Sequence, residues 1–499
     1  MAAAGFVEQL WPLTWLAFVP LLVALPHGSP WRAFFLGWWT EAVIIWLGFY
    51  WLVGTMVRYG FISLPLSLLF FAVIGIGNGV RLGLFAGWLR LAGAFSAPWW
   101  YRLLLPACTY VALDYLFPRV FPWYLGVTQF RALPLIQSAD LVGVHGITFL
   151  LLAGSSFGTA LLSRAVVPAA ARRRMGLAFA GLFLLNLGYG LWQLARLPER
   201  LARAPSLRLA VIQPNIGIGE KGRHDLRAQH LARQVAMSLD ALAQHPALIV
   251  WPETMYPFSV SAQAQRLALP PLPEEHRTTH WLVGALTYAQ RADQRQVFNS
   301  ALLVGPDSRI VGRYDKQRLL AFGEYIPLQR YLPFLRGISP TIGNLTPGAG
   351  GLVTLPQGIT LGPLICYEDI LPALSRQAVR SGAQLLVNLT NDAWFGDTRA
   401  PYLHRMLAAF RAIEHRVYLV RATNTGLTSI IDPLGREGAA LPLFERGTLI
   451  ASVQPLRLST VYTRLGDWFA QICSVAALVL PLWHRRRGVP RRAGEMARS

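Results

Sequence analysis

The sequence predicts an α-helical transmembrane bundle joined to an α/β sandwich domain. Three observations carry that prediction. Charged residues make up 14% of the 499-residue chain, well under the roughly 25% of a soluble domain, and mean hydropathy is +0.38. The hydrophobicity concentrates in residues 9–195 and again near 465–483, leaving a region of ordinary soluble composition between. That middle region alternates apolar, strand-like runs with helix-like ones, the pattern of buried strands covered by helices.

Six apolar runs fill the N-terminal part, at 9–26, 33–54, 63–92, 101–117, 140–163 and 175–195. Each is near the ~20 residues that cross a bilayer. The third is long and could tilt or break at its glycine-rich stretch IGIGNGVRLG. A seventh run covers 465–483. The N-terminus lacks the positive n-region of a signal peptide. AARRRM (Arg172 to Arg174) precedes the sixth run, and HRRRGVPRR (Arg485 to Arg492) follows the seventh. Basic flanks stay cytoplasmic, so the region between these two spans is expected outside the cytoplasm. The domain reading is therefore a bundle at 1–199, an extracytoplasmic domain at 200–462, and a last helix with a basic cytoplasmic tail at 463–499. The tail after Pro490 is expected to be disordered. The loop 117–137 falls on the outer face, where Trp123, Tyr124 and Phe130 could form an interfacial aromatic belt or line a lipid entry.

In the middle region, strands are expected at 207–213, 247–251, 280–286, 300–305, 359–367, 384–390, 417–423 and 427–432. Helices are expected at 224–244, 371–381 and 400–416. Residues 315–350, rich in Pro and Gly, read as loops over a site, with 394–402 as a further gating loop. The formal charge of +21 is almost all arginine, with Lys221 and Lys316 the two lysines. It is assigned to topology and anionic lipid, since no basic-aromatic face for nucleic acid stands out. Cys108 and Cys473 lie in apolar spans, so Cys366 has no disulfide partner within the middle region.

Three strand ends there hold unusual polar residues. LIVWPETMYP runs from an apolar strand into Glu253, which is costly to bury unless paired or functional. GRYDKQRLLAFGEY carries Lys316 and Glu324, and a lysine in so arginine-biased a chain suggests a need for a compact ammonium. GPLICYEDI carries Cys366 beside two acids, which oppose thiol reactivity. A carboxylate could take the thiol proton, and an ammonium could offset the acids and stabilise an oxyanion.

In that order, WPE, YDK with FGEY, CYE and NDAWFG resemble the Glu-Lys-Cys signature of the nitrilase superfamily. With spans on both sides, and with FPW at 121–123, the stretch 404–435 and GDWF at 466–469, the resemblance narrows to the apolipoprotein N-acyltransferase family. That resemblance implies a nitrilase-type αββα sandwich on a multi-pass bundle in the bacterial inner membrane, with the sandwich on the periplasmic face. It implies acyl transfer from a phospholipid, typically phosphatidylethanolamine, to the α-amino group of a diacylglyceryl-cysteine on an apolipoprotein, with no cofactor. Carried over by motif, Glu253 is the general base, Lys316 the oxyanion stabiliser and Cys366 the thioester-forming nucleophile. Glu324, Tyr367, Glu368, Trp394 and Trp123 match supporting positions. Blander readings stand beside these: Trp394 packing a loop, Glu368 accepting backbone amides, Asn391 and Asp392 forming a turn, and His404 and His415 serving structure. No metal site is expected. The chain also departs from the pattern. EKGRHD (220–225) lacks the Trp of a K-W-D-like stretch, ALDYLF stands where E-W-x-R is common, and seven spans are counted where relatives have eight. A membrane-tethered amidase would share the triad, and a non-catalytic lipid-binding protein would share the fold.

Overall fold

The computed structural model describes residues 6–291, 294–326, 331 and 345–488. The predicted disordered tail and most of the 327–344 loop segment lie outside the described residues. In the bundle, a 3-10 segment at Glu8–Leu16 leads into α1 (Val19–Ala24). Then follow α2 (Pro30–Gly48), α3 (Trp51–Arg58), α4 (Leu64–Leu91), α5 (Trp99–Leu116), α6 (Ala139–Leu162) and α7 (Ala169–Ala202). The second predicted span is broken, with α2 and α3 meeting at 57°. By length and composition, α4, α6 and α7 can each cross a membrane, and α2 with α3 makes a fourth candidate among the described residues. That is fewer than the seven apolar runs suggest. Pro12 interrupts the first run, while Arg102 and Asp114 in α5 and the polar end of the last helix lower their hydropathy.

The glycine-rich stretch does not break α4, which is one continuous helix. Gly75, Gly79 and Gly83 lie four residues apart on one face, where a Cβ would sit 2.0 Å from Trp46, 2.4 Å from Trp38 and 2.9 Å from Phe34 of α2. The stripe is a close-packing surface, the usual means of helix association in lipid. Arg81 of α4 donates to both oxygens of Glu41 at 2.7 and 2.9 Å and pairs with Asp114 at 3.1 Å, tying α2, α4 and α5 together. Where ALDYLF lacks the expected arginine, Arg119 folds back and pairs with Asp114 at 3.1 Å.

The middle region folds as an αββα sandwich. One sheet contains β1 (Leu207–Gln213), β2 (Leu248–Val250), β3 (Tyr256–Ser261), β4 (His280–Arg291), β5 (Gln294–Val304) and β6 (Ile310–Asp315). The facing sheet runs β7 (Val353–Thr354), β8 (Thr360–Ile365), β9 (Leu385–Thr390), β10 (Tyr418–Thr423), β11 (Ser429–Ile431) and β12 (Glu437–Ala440). β13 (Gly447–Val453) returns to the first sheet beside β1, whose order is β13-β1-β2-β4-β5-β6 with β3 on β4. β1, β2 and β4 are parallel, as are β8, β9 and β10. Leu209, Val211, Val250, Leu361, Val387 and Val420 fill the space between the sheets. α8 (Arg227–Ala241) covers the outer face of the first sheet, and α9 (Pro372–Arg380) and α10 (Ala400–His415) cover that of the second. The chain ends in α11 (Trp468–Gly488).

The two halves share a seam. Arg416, just past α10, pairs with Asp140 of α6 at 2.9 Å and donates to Gln137 Oε1 at 2.6 Å. Arg405 bonds Glu8, and the Val144 amide donates to Glu414. Gly143 takes φ 66° inside α6, where a Cβ would lie 2.5 Å from Tyr462. One apolar cluster runs from Phe6, Trp123 and Tyr124 through Leu403 and Ile370, with Phe395 and Tyr367 against it. Trp123, Tyr124 and Phe130 are all buried, and Trp123 stacks on Phe6 with centroids 4.9 Å apart. They form neither an aromatic belt nor an open lipid entry, because Arg119 bonds the Trp123 carbonyl and draws the loop inward.

Candidate active site

The ends of β2, β6 and β8 carry Glu253, Lys316 and Cys366, and the structure brings the three together. β2, β4, β5 and β6 are consecutive in one sheet, and β8 faces them from the other. Lys316 is held by its own backbone: its amide donates to the Asn299 carbonyl at 2.8 Å, and its carbonyl accepts from Gly348 at 2.7 Å. Its ammonium lies 2.8 Å from Glu324 Oε1 and 3.6 Å from Glu253 Oε1. Asn299 Nδ2 donates to the same two oxygens, at 2.7 Å to Glu253 and 3.2 Å to Glu324. Glu253 Oε2 is buried and has no hydrogen-bond partner among the described residues.

The charges divide the work. Burial alone would lower the Lys316 ammonium, but Cys366, Glu253, Glu324 and Glu368 together hold it well above the usual lysine range. Burial, then Glu253, pushes the Cys366 thiol up, and Lys316 offsets only part of that. Lys316 thus acts in the direction the sequence suggests, toward thiolate, but burial and Glu253 outweigh it.

The backbone is strained at the same place. Cys366 has φ 55° and Thr254, directly after Glu253, has φ 50°. Positive φ is uncommon for residues with a Cβ and an outlier for a β-branched one, and such strain clusters at functional sites. The Cys366 carbonyl is fixed by Asn388 Nδ2 at 2.9 Å.

The two acids after Cys366 face different ways. Glu368 Oε1 accepts from the amides of Gln317 and Arg318 at 2.7 and 3.0 Å. Its Oε2 accepts from Tyr314 O–H and the Ile365 amide, both at 2.8 Å. Glu368 thus clamps the segment after Lys316 to the turn that carries Cys366. Burial raises its carboxyl despite Lys316 and these amides. Asp369 points the other way, bonding Arg421 and lying 2.7 Å from His404 Nε2. His404 Nδ1 lies 3.0 Å from Asp392. Asp392 is thus part of a buried ion network as well as a turn, and Asn391 caps that turn through the Ala393 amide. His415 bonds Thr463 at 2.9 Å.

Burial would lower His404, but Asp369 and Asp392 raise it to about 9. A group whose folded pKa is raised stabilises fully below its unfolded value and loses that contribution as pH climbs through the folded one. The charged His404 therefore stabilises below about 6.5 and fades through about 9. The Tm gap between wild type and His404→Gln should narrow as pH rises over that window. A gap that stays constant would show that the fold does not raise His404, and a gap that widens would show that it is held neutral.

The supporting residues separate into two groups. Tyr367 donates to the Leu319 carbonyl at 3.0 Å, with the Lys316 ammonium 5.6 Å from its ring centre. Trp394 is 43% exposed. Its carbonyl accepts from Thr55 at 3.1 Å, and its ring meets Tyr59 edge-on at 5.4 Å. The 394–396 turn thus rests on α3, beside the bend in the second span. Trp123 lies in the bundle core instead. Asn299 and Asn388 were missed from sequence, although each is a buried polar residue inside an apolar strand. In sequence Lys221 stands out only as a rare lysine, yet its Nζ lies 2.5 Å from Thr254 Oγ1 and 3.4 Å from the Glu253 carbonyl.

Residues 208–462 match the carbon-nitrogen hydrolase family, and residues 1–157 match the apolipoprotein N-acyltransferase N-terminal domain. An apolipoprotein N-acyltransferase from Geobacter metallireducens is 36% identical over 96% of this chain and 92% of its own length. One from Gloeobacter violaceus is 32% identical over 94% and 88%. One from Pseudomonas putida is 30% identical over 95% and 92%. With helices able to cross a membrane, a nitrilase-type sandwich and similarity over nearly its whole length, this membrane-embedded chain belongs to the apolipoprotein N-acyltransferase family.

Proposed function

We propose that this chain transfers a fatty acyl group from a phospholipid to the α-amino group of a diacylglyceryl-cysteine, through a thioester on Cys366. The observation that carries the mechanism is Glu253. One of its oxygens is anchored by Asn299 at 2.7 Å, and the other is buried with no hydrogen-bond partner among the described residues, free to act as a base. Glu253 takes the proton of Cys366 as Sγ bonds to the ester carbonyl carbon. Lys316 stabilises the oxyanion. The ester C–O bond breaks, and the lysophospholipid leaves with the proton from Glu253. The acceptor amine then attacks the thioester, Glu253 takes its proton, and the C–S bond breaks as the amide forms. The thiolate regains that proton. No cofactor enters any step.

The arginine flanks support a catalytic domain on the periplasmic face of a bacterial inner membrane. The contact between the Trp394 turn and α3 supports donor entry from the outer leaflet, with 394–402 as gate. The test mixes purified protein with phosphatidylethanolamine carrying a labelled acyl chain, with and without a diacylated lipopeptide. Label should pass to the peptide amine. Free fatty acid alone would make the protein a hydrolase, and inertness beside an active relative would remove the enzymatic reading.

A further inference from the structure

The triad uses one of the two lysines. The other, Lys221, lies in EKGRHD, the segment where the sequence departs from its relatives' pattern. Its ammonium touches the Thr254 hydroxyl and the Glu253 carbonyl, both neutral acceptors. No carboxylate pairs with it among the described residues. Burial lowers it to about 8, with Glu253 and Cys366 pulling it part of the way back. An ammonium so placed gains from an added anion.

The surroundings supply the rest of an anion site. Lys221 lines a cavity of about 160 Å³ together with Arg227, His230, Thr254 and Ser259. Arg227 and His230 are three apart on α8, so both face the same side. Arg227 contacts His224 at 3.3 Å, and Glu220 lies 3.9 Å from His230; neither carboxylate nor ring closes on Lys221. Thr254 is held at φ 50°, next to the base.

We propose that Lys221, with Arg227, binds the phosphodiester anion of the acyl donor and so places its ester carbonyl at Cys366. This rests on the acyl-transfer reading and names what recognises the donor. In a phospholipid, five or six covalent bonds separate the phosphorus from an ester carbonyl carbon, roughly 6–8 Å when extended. Lys221 Nζ lies 3.4 Å from the carbonyl of Glu253, whose carboxylate lies 3.6 Å from Lys316, so a phosphate on Lys221 would sit beside the cluster that holds Cys366. A compact ammonium suits a tetrahedral anion bound as a point charge, and Arg227 adds a second donor. The lipopeptide acceptor is recognised elsewhere, since its diacylglyceryl group carries no phosphate.

The experiment compares two donors with identical labelled acyl chains, phosphatidylethanolamine and diacylglycerol. The readout is kcat/KM for thioester formation on Cys366 of the full-length protein. Wild type should prefer the phospholipid. Lys221→Gln should reduce that preference about 10- to 100-fold, the worth of a hydrogen bond to a charged group. Arg227→Gln, at a partly exposed position, should reduce it less. A merely structural Lys221 would lower both donors in parallel, and an unchanged preference overturns the assignment while acyl transfer stands. Inorganic phosphate should compete against the phospholipid alone. Equal inhibition of both donors would make this a free-phosphate site and overturn the donor assignment. Absence of any thioester in wild type would remove the acyl-transfer reading, and this assignment with it.

Discussion

Cys366→Ala is expected to abolish the labelled acyl-enzyme and to cut acyl transfer by about 10⁴-fold or more, as loss of a covalent nucleophile does. The substitution removes one sulfur and leaves the turn's other anchors: Asn388 on the carbonyl of residue 366, and Glu368 on the Ile365 amide. The fold should survive, which a Tm near wild type would establish. Lys316 and Glu253 would stay paired at 3.6 Å, with no thiol to act on. A labelled thioester recovered from the variant would move the nucleophile elsewhere, and neither Cys108 nor Cys473 is a candidate, both being buried in the bundle. Mass spectrometry of the intact protein after incubation with donor decides it.

The second large effect is Glu253→Gln. Glutamine keeps an oxygen for Asn299 Nδ2 but presents an amide where Oε2 stood, so the site keeps its shape and loses its base. Acylation should slow about 10²- to 10⁴-fold, with KM for the donor little changed. The pH dependence carries a signature. Glu253 is one of the groups that raise the Cys366 thiol, so removing its charge lowers that thiol's pKa. The variant should therefore recover activity as pH rises and thiolate forms unaided, and its deficit against wild type should shrink toward alkaline pH. A deficit equal at every pH would argue that Glu253 only shapes the site.

Glu253 and Cys366 stand out in the sequence because each ends an apolar strand, and Lys316 because lysine is rare in this chain; the structure brings the three side by side. The alternation of strands and helices predicts a sandwich but not its sheet order, and β3, β6, β7, β12 and β13 are absent from the expected strands. The partners of those charges were not legible. His404 reads as an ordinary helical histidine because its two acids lie 12 and 35 residues away in sequence. Glu368 and Asp369 are adjacent, yet the 3-10 turn at Cys366–Ile370 sends them in different directions, and no periodicity announces such a turn. The aromatic loop misled for a related reason. Trp123 and Tyr124 have the composition of an interface belt, but Arg119 and the packing of Phe6 draw them inside. The glycines of α4 misled in the opposite sense, since a lack of side chains can mean a close neighbour as well as a weak helix. Asn299 and Lys221 could have been found by asking of every polar residue near a strand end what would satisfy it once buried.

The seam between bundle and sandwich is built like a protein interior, with an apolar cluster continuous from Trp123 to Tyr367 and Arg416 locked to Asp140 beneath it. A thiol mounted this way has an altitude. It cannot bob with the lipids or sink after a chain that lies too deep. Under the proposed acyl transfer, the donor ester would have to come to a height set by the mount, and a lipid would be selected by where its linkage rides in the leaflet as well as by its chemistry. The bilayer itself becomes part of the ruler.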